Sequence, residues 1–300
     1  MLAENNNCGL AGALAVLPKR LIRFVEDFSE REALEEIRLR IARPMQLISS
    51  EDELIPDTEP FSADEAKELL ERLCRHSVYA HTDELRSGYV SLEGGARVGV
   101  CGKPAVDKGR ILDLTEVSSF NIRIPREVKG CAEGVMKLIS DGGRPCSTLI
   151  AAPPGGGKTT LLRDIVRCLS EGVGVFPQKV AVADERGELA GCVNGAPTFD
   201  VGRRTDVMDR APKAESVSLL IRAMSPDVIV TDEIGGEADA KAILEAAFCG
   251  VSVIASAHAS SAEELKKRVG VERLIDEGSF KRILLLKRRG SVLGVASVKP

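Results

Sequence analysis

A glycine-rich segment in the middle of the chain carries residue types that bind phosphate groups. Three glycines at 155–157 are followed by Lys158 and Thr159, which matches the second half of the pattern G-x-x-x-x-G-K-[ST]. Glycines let backbone N–H groups approach a polyphosphate, the lysine can bridge its β- and γ-phosphates, and the next hydroxyl can bind Mg²⁺. Ala152 stands where the pattern has its first glycine, and the remaining residues still predict a site for ATP and Mg²⁺.

The segments on either side of this loop predict the elements that position it. Residues 147–151 form an apolar run typical of a buried strand, and residues 161–166 open a helix. A helix that starts directly after the loop directs its free amides and the positive end of its dipole at an anion. A plain glycine-rich turn is the alternative, and the strand–loop–helix order favours the phosphate site.

A second apolar run, residues 226–231, ends in the carboxylates Asp232 and Glu233. This arrangement is typical of the Walker B element of phosphate-loop ATPases. Asp232 would hold Mg²⁺ through its waters, and Glu233 would orient and deprotonate the attacking water. The alternative is a surface pair that caps the helix beginning near Asp239, and the upstream phosphate loop favours the catalytic interpretation.

Two further apolar runs end in polar residues. Asp184 and Glu185 follow the run 180–183, and His258 follows the run 253–257. Ligands of open α/β sheets bind at the carboxyl ends of strands, so these side chains are expected to converge on one nucleotide. Two interpretations of His258 stay open: a partly buried, hydrogen-bonded histidine, or a residue that senses the γ-phosphate or couples its hydrolysis.

Together these patterns predict one nucleotide site at an edge of a sheet. Its predicted catalytic residues are Glu233, Lys158 and His258, and its predicted Mg²⁺ ligands are Thr159 and Asp232. The predicted nucleotide contacts are Pro154, Gly155, Gly156, Gly157, Lys158, Thr159, Thr160, Asp184 and Glu185.

The pattern of the chain changes near residue 130. Earlier segments predict short strands, among them 36–41, 111–114 and 119–124, and a helix that begins at the capping box Ser62–Glu65, whereas later apolar runs alternate with helical stretches. We therefore predict an α/β protein, with a mostly parallel sheet covered by helices on both faces and a smaller α+β domain before it. The expected bounds are 1–130 for the N-terminal domain, 131–145 for a linker and 146–300 for the core.

Composition narrows the class of protein. The net charge of the 300 residues is −4 and aromatic residues make up 3%, which argues against a polycation and against a platform for stacking bases. No apolar run reaches the length of a membrane span. The eight cysteines form no CxxC pair, which argues against a zinc site and is typical of a reducing cytosol. We expect a cytoplasmic protein.

The C-terminal segment and the acidic pair leave two alternative functions open. Residues 259–300 carry twice as many basic as acidic residues, which a nucleic-acid-dependent motor on the same core would explain. We favour an edge hairpin over 281–298 whose charges protect the sheet edge. A scaffold that binds ATP as an assembly switch is the other alternative, and Glu233 argues against it because a switch does not require that carboxylate.

Residues 148–260 resemble the RecA-like core of the type II/IV secretion ATPases, and residues 36–44 resemble the start of their N-terminal domain. The core resemblance rests on the phosphate loop, the Asp184-Glu185 strand end, the lead-in at 220–227 and the box 256–259. A closer likeness covers nearly the whole chain from about residue 20 and points to the sporulation stage III AA family. The segments that carry it are 118–127, 184–192 and 200–207.

This resemblance implies a RecA-like P-loop ATPase that uses ATP and Mg²⁺ and assembles into a ring of six subunits. It also implies a cytosolic enzyme of the mother cell, held at the membrane by membrane proteins of the stage III sporulation channel. The sequence gives no strong evidence for a nucleic-acid partner. Arg123 and Arg126 are candidates for arginines that reach a neighbouring subunit's nucleotide, and solvated surface arginines are the alternative. Ala152 and Gly236 depart from the family pattern, the latter where an arginine is usual.

Overall fold

The computed structural model describes residues 8–49, 52–74, 82–86, 88–107, 110–289 and 292–298. The chain forms two compact units, one up to Arg126 and one from Glu127 onwards. Within these described ranges, no helix has both the length and the apolar character needed to cross a membrane.

Among its described residues, the first unit combines four α-helices with an antiparallel sheet. The helices are α1 (Cys8–Val16), α2 (Lys19–Glu26), α3 (Ala63–Leu73) and α4 (Thr82–Arg86), and the strands are β1 (Leu34–Arg40), β2 (Gln46–Ser49), β3 (Glu53–Leu54), β4 (Tyr89–Ser91), β5 (Arg97–Asp107) and β6 (Arg110–Arg123). The sheet has the order β3-β2-β1-β6-β5-β4.

Local sequence explains the elements of this unit. The predicted capping box starts α3: the Ser62 hydroxyl accepts from the Glu65 amide at 3.2 Å, and the Glu65 carboxylate accepts from the Ser62 amide at 2.9 Å. Along β1, Ile37 and Leu39 are fully buried while the intervening Arg38 is half-buried, as the period of two predicts.

The second unit is built on a seven-stranded sheet. Its helices are α5 (Glu133–Met136), α6 (Lys158–Glu171), α7 (Lys213–Met224), α8 (Glu237–Phe248), α9 (Ala262–Leu265) and α10 (Val271–Asp276). Its strands are β7 (Ser140–Asp141), β8 (Arg144–Pro145), β9 (Thr148–Ala152), β10 (Val180–Asp184), β11 (Thr205–Asp209), β12 (Val228–Glu233), β13 (Ser252–His258), β14 (Arg282–Arg289) and β15 (Val292–Val298). Strands β7 and β8 form a separate two-stranded ribbon.

The large sheet has the order β11-β10-β12-β13-β9-β14-β15. Its strands run parallel except β15, which returns antiparallel beside β14 as the predicted hairpin. The interval 131–145, expected as a linker, lies within this unit, and Ala132 and Met136 are buried in its core.

Helices cover both faces of this sheet. Ile150 of β9 packs in one hydrophobic cluster with Ile165 of α6, whereas its neighbour Leu149 packs in a second cluster with Ile243 of α8. Successive strand residues point to opposite faces, so the two clusters confirm the predicted α/β core with helices on both sides. Since the strands are parallel, the ends of β9, β10, β12 and β13 lie at the same edge.

Candidate active site

The phosphate loop joins β9 to α6, and the local structure requires glycine at each of the positions 155, 156 and 157. Gly155 and Gly157 have φ angles of 70° and 84°, which side-chain-bearing residues rarely adopt. A Cβ on Gly156 would lie 2.6 Å from the Cβ of Ala152 and 2.9 Å from the backbone oxygen of Pro153. The absence of side chains at these three positions therefore lets the loop backbone approach a ligand closely.

Ala152 takes the place of the first glycine without distorting the chain. It is the last residue of β9 and is fully buried. Among described residues other than glycine, positive φ angles occur at Ala42, Asn194, Arg210 and Ser225. Position 152 therefore requires no glycine, and its backbone oxygen remains available to the loop.

Lys158 is held at the centre of the loop. Its Nζ donates to the backbone oxygens of Ala152 at 3.1 Å and Pro153 at 3.3 Å, and lies 2.7 Å from Nδ1 of His258. Burial lowers the pKa of Lys158 to about 8, with Glu233 opposing this shift and Arg268 adding to it. The ammonium therefore lies between the end of β9 and the histidine that ends β13.

His258 connects this lysine to the acidic pair. Its Nε2 lies 3.1 Å from Oε2 of Glu233, on the opposite side of the ring from Lys158. An imidazole that accepts from Lys158 at Nδ1 and donates from Nε2–H satisfies both contacts. The ends of β9, β12 and β13 are thus joined by a continuous line of polar contacts.

Two arginines also approach Glu233, and sequence reasoning assigned neither to the site. Nη1 of Arg186 lies 3.7 Å from Oε2, and Nη1 of Arg268 lies 3.8 Å from Oε1. Arg186 directly follows the Asp184-Glu185 strand end, a position that could have marked it, whereas no local pattern marks Arg268.

Asp232 is buried beside a lysine that sequence reasoning also missed. Its Oδ1 lies 2.6 Å from Nζ of Lys213, the first residue of α7. Burial raises the pKa of Asp232, and the charge and hydrogen bond of Lys213 oppose that rise. The carboxylate of Asp232 therefore lies against Lys213, whereas that of Glu233 lies near Arg186 and Arg268.

Asp184 and Glu185 occupy different surroundings. The buried carboxylate of Asp184 accepts from the backbone amides of Glu188, Leu189 and Ala190 at 2.8–3.0 Å, so it organises the loop after β10. Burial raises its pKa to about 6, against those hydrogen bonds, and the charge of nearby Asp232 raises it further. Glu185 is exposed, and its Oε2 lies 3.7 Å from Nζ of Lys213.

The other predicted residues fall into two groups. Pro154 is exposed, while Thr159 and Thr160 lie half-buried in the first turn of α6, and the assignment of Thr159 to Mg²⁺ stays a prediction. Arg123 ends β6 and Arg126 lies 3.4 Å from Glu35, so both belong to the first unit. Their role stays a prediction.

The residues present fit a nucleoside triphosphate with Mg²⁺. The loop backbone, the start of α6 and Lys158 can hold phosphates, and Thr159 and Asp232 can hold a metal ion that the phosphates also bind. Among the described side chains, no group of three or more His, Cys, Asp or Glu is placed to hold a metal ion by itself. The chemistry that this arrangement supports is phosphoryl transfer to water.

Comparison with solved structures supports the same fold. The ATPase DotB of Legionella pneumophila has 18% sequence identity and a TM-score of 0.60, over 93% of this chain and 79% of that one. The pilus retraction motor PilT, solved with bound ADP, has 15% identity and a TM-score of 0.62, over 94% and 82% of the two chains. At this level of identity the likeness shows that the chain shares the fold of these two proteins.

Sequence comparison identifies the family. Stage III sporulation protein AA of Bacillus subtilis is 42% identical over 276 residues, which cover 91% of this chain and 89% of that protein. Protein SEEDLING PLASTID DEVELOPMENT 1 of Arabidopsis thaliana is 31% identical over 189 residues, although these make up only 27% of its length. The family model described as "Sporulation stage III, protein AA" matches residues 12–299, and the chain belongs to that family.

Proposed function

We propose that the protein is a Mg²⁺-dependent ATPase that works as a ring and energises, through membrane partners, a channel between mother cell and forespore. The observation that carries this proposal is the line of contacts from Lys158 through His258 to Glu233, at 2.7 Å and 3.1 Å. It joins the phosphate loop to the carboxylate that would activate water. Membership of the sporulation family supports the cellular setting.

The phosphate loop and Lys158 bind the triphosphate of ATP. The start of α6 directs amides and a partial positive charge at the phosphates. Lys158 contacts both the loop carbonyls and His258. Because His258 also contacts Glu233, Lys158 connects the bound γ-phosphate to the acidic pair. Lys158 therefore serves both ATP binding and catalysis.

Glu233 is the general base. Its Oε2 accepts from His258, which fixes the carboxylate and leaves Oε1 to take a proton from the attacking water. The water oxygen bonds to the γ-phosphorus as the bond to the β,γ-bridging oxygen breaks, which yields ADP and phosphate. Arg186 and Arg268 lie close enough to Glu233 to hold it and to offset the charge of the reacting phosphate.

Thr159 and Asp232 would hold Mg²⁺, and the bound ion would supply positive charge to offset that of the reacting phosphates. Buried Asp232, near the end of β12, would face the first turn of α6, which carries Thr159, since β12 and β9 end at the same edge of the sheet.

Arg123 and Arg126 are proposed to serve the nucleotide of a neighbouring subunit in a six-membered ring. Their position near the end of the first unit and the resemblance to the secretion ATPases support this role. Native mass spectrometry with ATP and Mg²⁺ tests the ring. Mixing Glu233→Gln subunits with Arg126→Ala subunits tests transfer between subunits, because mixed rings would contain sites with both groups intact and regain activity.

The decisive experiment separates binding from turnover in the purified full chain. Lys158→Ala is expected to lose ATP binding, whereas Glu233→Gln keeps binding and loses turnover by a factor of about 10³. Glu272→Gln, at an exposed glutamate of α10, is the matched control. Normal hydrolysis by Glu233→Gln would show that the base is assigned wrongly, and a wild-type chain that binds no ATP would overturn the proposal.

The membrane setting is tested separately. Since the partners are proposed to be membrane proteins of the same sporulation stage, turnover is measured with and without membranes that contain them. Stimulation by these membranes supports a motor held at the membrane from the cytoplasm of the mother cell. Equal turnover in both conditions would contradict coupling to the channel.

A further inference from the structure

A buried lysine contacts the carboxylate assigned to Mg²⁺. Lys213 is the first residue of α7, and only 3% of it is exposed. Its Nζ lies 2.6 Å from Oδ1 of Asp232 and donates a short hydrogen bond to the backbone oxygen of Glu233. The ammonium therefore touches both members of the acidic pair, from the helix that leads into β12.

Two more carboxylates surround this ammonium at longer range. Oε2 of Glu185 lies at 3.7 Å and Oδ2 of Asp239 at 3.8 Å. Asp239 also accepts from the Gly235 amide at 2.8 Å and so closes the turn between β12 and α8. Lys213 thus links the ends of β10 and β12 to the start of α8.

The two lysines of the site, Lys158 and Lys213, contact different groups. Lys158 is directed at loop carbonyls and His258, where phosphates are expected, whereas Lys213 is directed at Asp232. Burying a charged group costs free energy unless a partner of opposite charge compensates it, and Asp232 is the nearest carboxylate. Lys213 in turn neutralises a carboxylate that is itself buried.

We propose that Lys213 is an internal counter-ion of Asp232 that makes metal binding depend on the nucleotide. With Lys213 on Oδ1, Asp232 offers a divalent ion one remaining oxygen and little net negative charge, and the fixed ammonium repels the ion. Phosphates supply the missing charge and the oxygen ligands that Mg²⁺ prefers. The inference rests on the proposed function, in which Asp232 serves Mg²⁺.

The test measures Mn²⁺ binding to the full chain by the electron paramagnetic resonance of free Mn²⁺, without turnover. In the absence of nucleotide, the wild type is expected to bind Mn²⁺ weakly, and Lys213→Met at least about tenfold more tightly, because one repulsive charge is removed. Lys213→Arg keeps the charge and is expected to behave as the wild type. Lys241→Met, at an exposed lysine of α8, is the control for loss of a positive charge elsewhere.

Adding ADP separates failure of this inference from failure of the proposed function. With ADP, wild-type Mn²⁺ affinity is expected to rise at least about tenfold and to be lost in Asp232→Asn. If ADP produces no Asp232-dependent binding, the proposed function and this inference both fall. If ADP-dependent binding is normal but Lys213→Met binds Mn²⁺ no more tightly than the wild type without nucleotide, only the inference is overturned.

If Lys213→Met does not fold, the Mn²⁺ affinity of the wild type with and without ADP still tests the counter-ion role. Equal Mn²⁺ affinity with and without ADP, sensitive to Asp232→Asn in both conditions, would contradict the counter-ion role. A clear difference between the two conditions, together with wild-type behaviour of Lys213→Arg, supports it.

Discussion

Nδ1 of His258 lies 2.7 Å from Nζ of Lys158, although the two residues belong to different strand–loop segments of the core. The histidine is 29% exposed, and its other nitrogen faces Glu233. The imidazole ring bridges Lys158, which is assigned to phosphate binding, and Glu233, which is assigned to activation of water. Replacement of His258 is therefore expected to affect turnover more than ATP binding.

His258→Gln is accordingly expected to lower kcat by a factor of about 10² while ATP affinity changes by less than about threefold. The amide cannot reproduce the two opposed contacts of the imidazole at the same time. Steady-state kinetics and equilibrium binding of a non-hydrolysable ATP analogue measure the two effects. Equal losses in affinity and kcat/KM, with kcat unchanged, would assign His258 to binding only.

A second prediction concerns the space inside the phosphate loop. Gly156→Ala is expected to abolish ATP binding, because the new methyl would lie 2.6 Å from the Cβ of Ala152. Gly236→Ala is the control, since a Cβ there meets nothing within 4 Å and the backbone is extended.

The double variant Ala152→Gly/Gly156→Ala is expected to recover part of the binding, because it removes one side of that clash. The backbone oxygen of Pro153, at 2.9 Å from the added Cβ, prevents full recovery. Titration with a fluorescent ADP analogue measures the nucleotide affinity of all three variants. No recovery in the double variant would mean that Pro153, and not Ala152, sets the limit.

Asp184 is expected to make the stability of the protein depend on pH between about 4 and 6. Its pKa is raised from 3.8 to about 6, so the folded chain binds this proton more tightly than the unfolded chain. The contribution is fully present below pH 3.8 and is lost as pH rises through 6, a change of about 3 kcal/mol.

Urea denaturation of wild type and Asp184→Asn across this pH range isolates the effect of this one group. The free energy of unfolding of the wild type is expected to fall relative to the variant as pH rises, and the difference levels off above pH 7. A difference between the two proteins that stays constant with pH would show that Asp184 titrates normally.

Arg163 is expected to stabilise the loop that follows β10. This buried guanidinium donates to the backbone oxygens of Leu189 at 3.0 Å and Glu188 at 2.5 Å, and its Cζ lies 3.7 Å from the centre of the Phe199 ring. Arg163→Leu leaves buried carbonyls without these donors and is expected to cost about 2–4 kcal/mol of unfolding free energy. Arg282→Leu, at a half-buried arginine of β14, is the control.

The experiment also separates a structural role from a catalytic one. If Arg163 serves the loop alone, Arg163→Leu lowers the denaturation midpoint but keeps most ATP affinity below that midpoint. Unchanged stability would contradict the structural role, whatever happens to activity.

A fifth prediction addresses the basic C-terminal hairpin. Strand β15 forms the edge of the large sheet and has no charged residue, whereas the basic residues of the hairpin lie on β14, the strand between β9 and β15. We expect these basic residues to serve no nucleic acid, so turnover is expected to be unaffected by added DNA or RNA. Stimulation that falls steeply with salt concentration would favour the nucleic-acid motor instead.

Regular local patterns predicted much of the fold. The alternation in β1, the capping box of α3 and the buried runs of β9, β10, β12 and β13 each lie where the sequence placed them, because each depends on neighbours within one turn or one strand. In contrast, residues 111–114 and 119–124 were expected as two strands and form one, β6. Pairing with β5 keeps β6 continuous through register shifts, one of them beside Pro104, and no local pattern reveals that long-range pairing.

The sequence by itself determined the phosphate loop and the acidic pair, since each is a run of adjacent residues whose types already define its chemistry. Only the tertiary structure decided which cations accompany them. Parallel strands joined through helices bring segments far apart in sequence to one sheet edge, and this places His258 against Glu233 and Lys213 against Asp232. A lysine at the start of a helix is unremarkable in sequence, and its meaning comes from the buried carboxylate that the fold sets beside it.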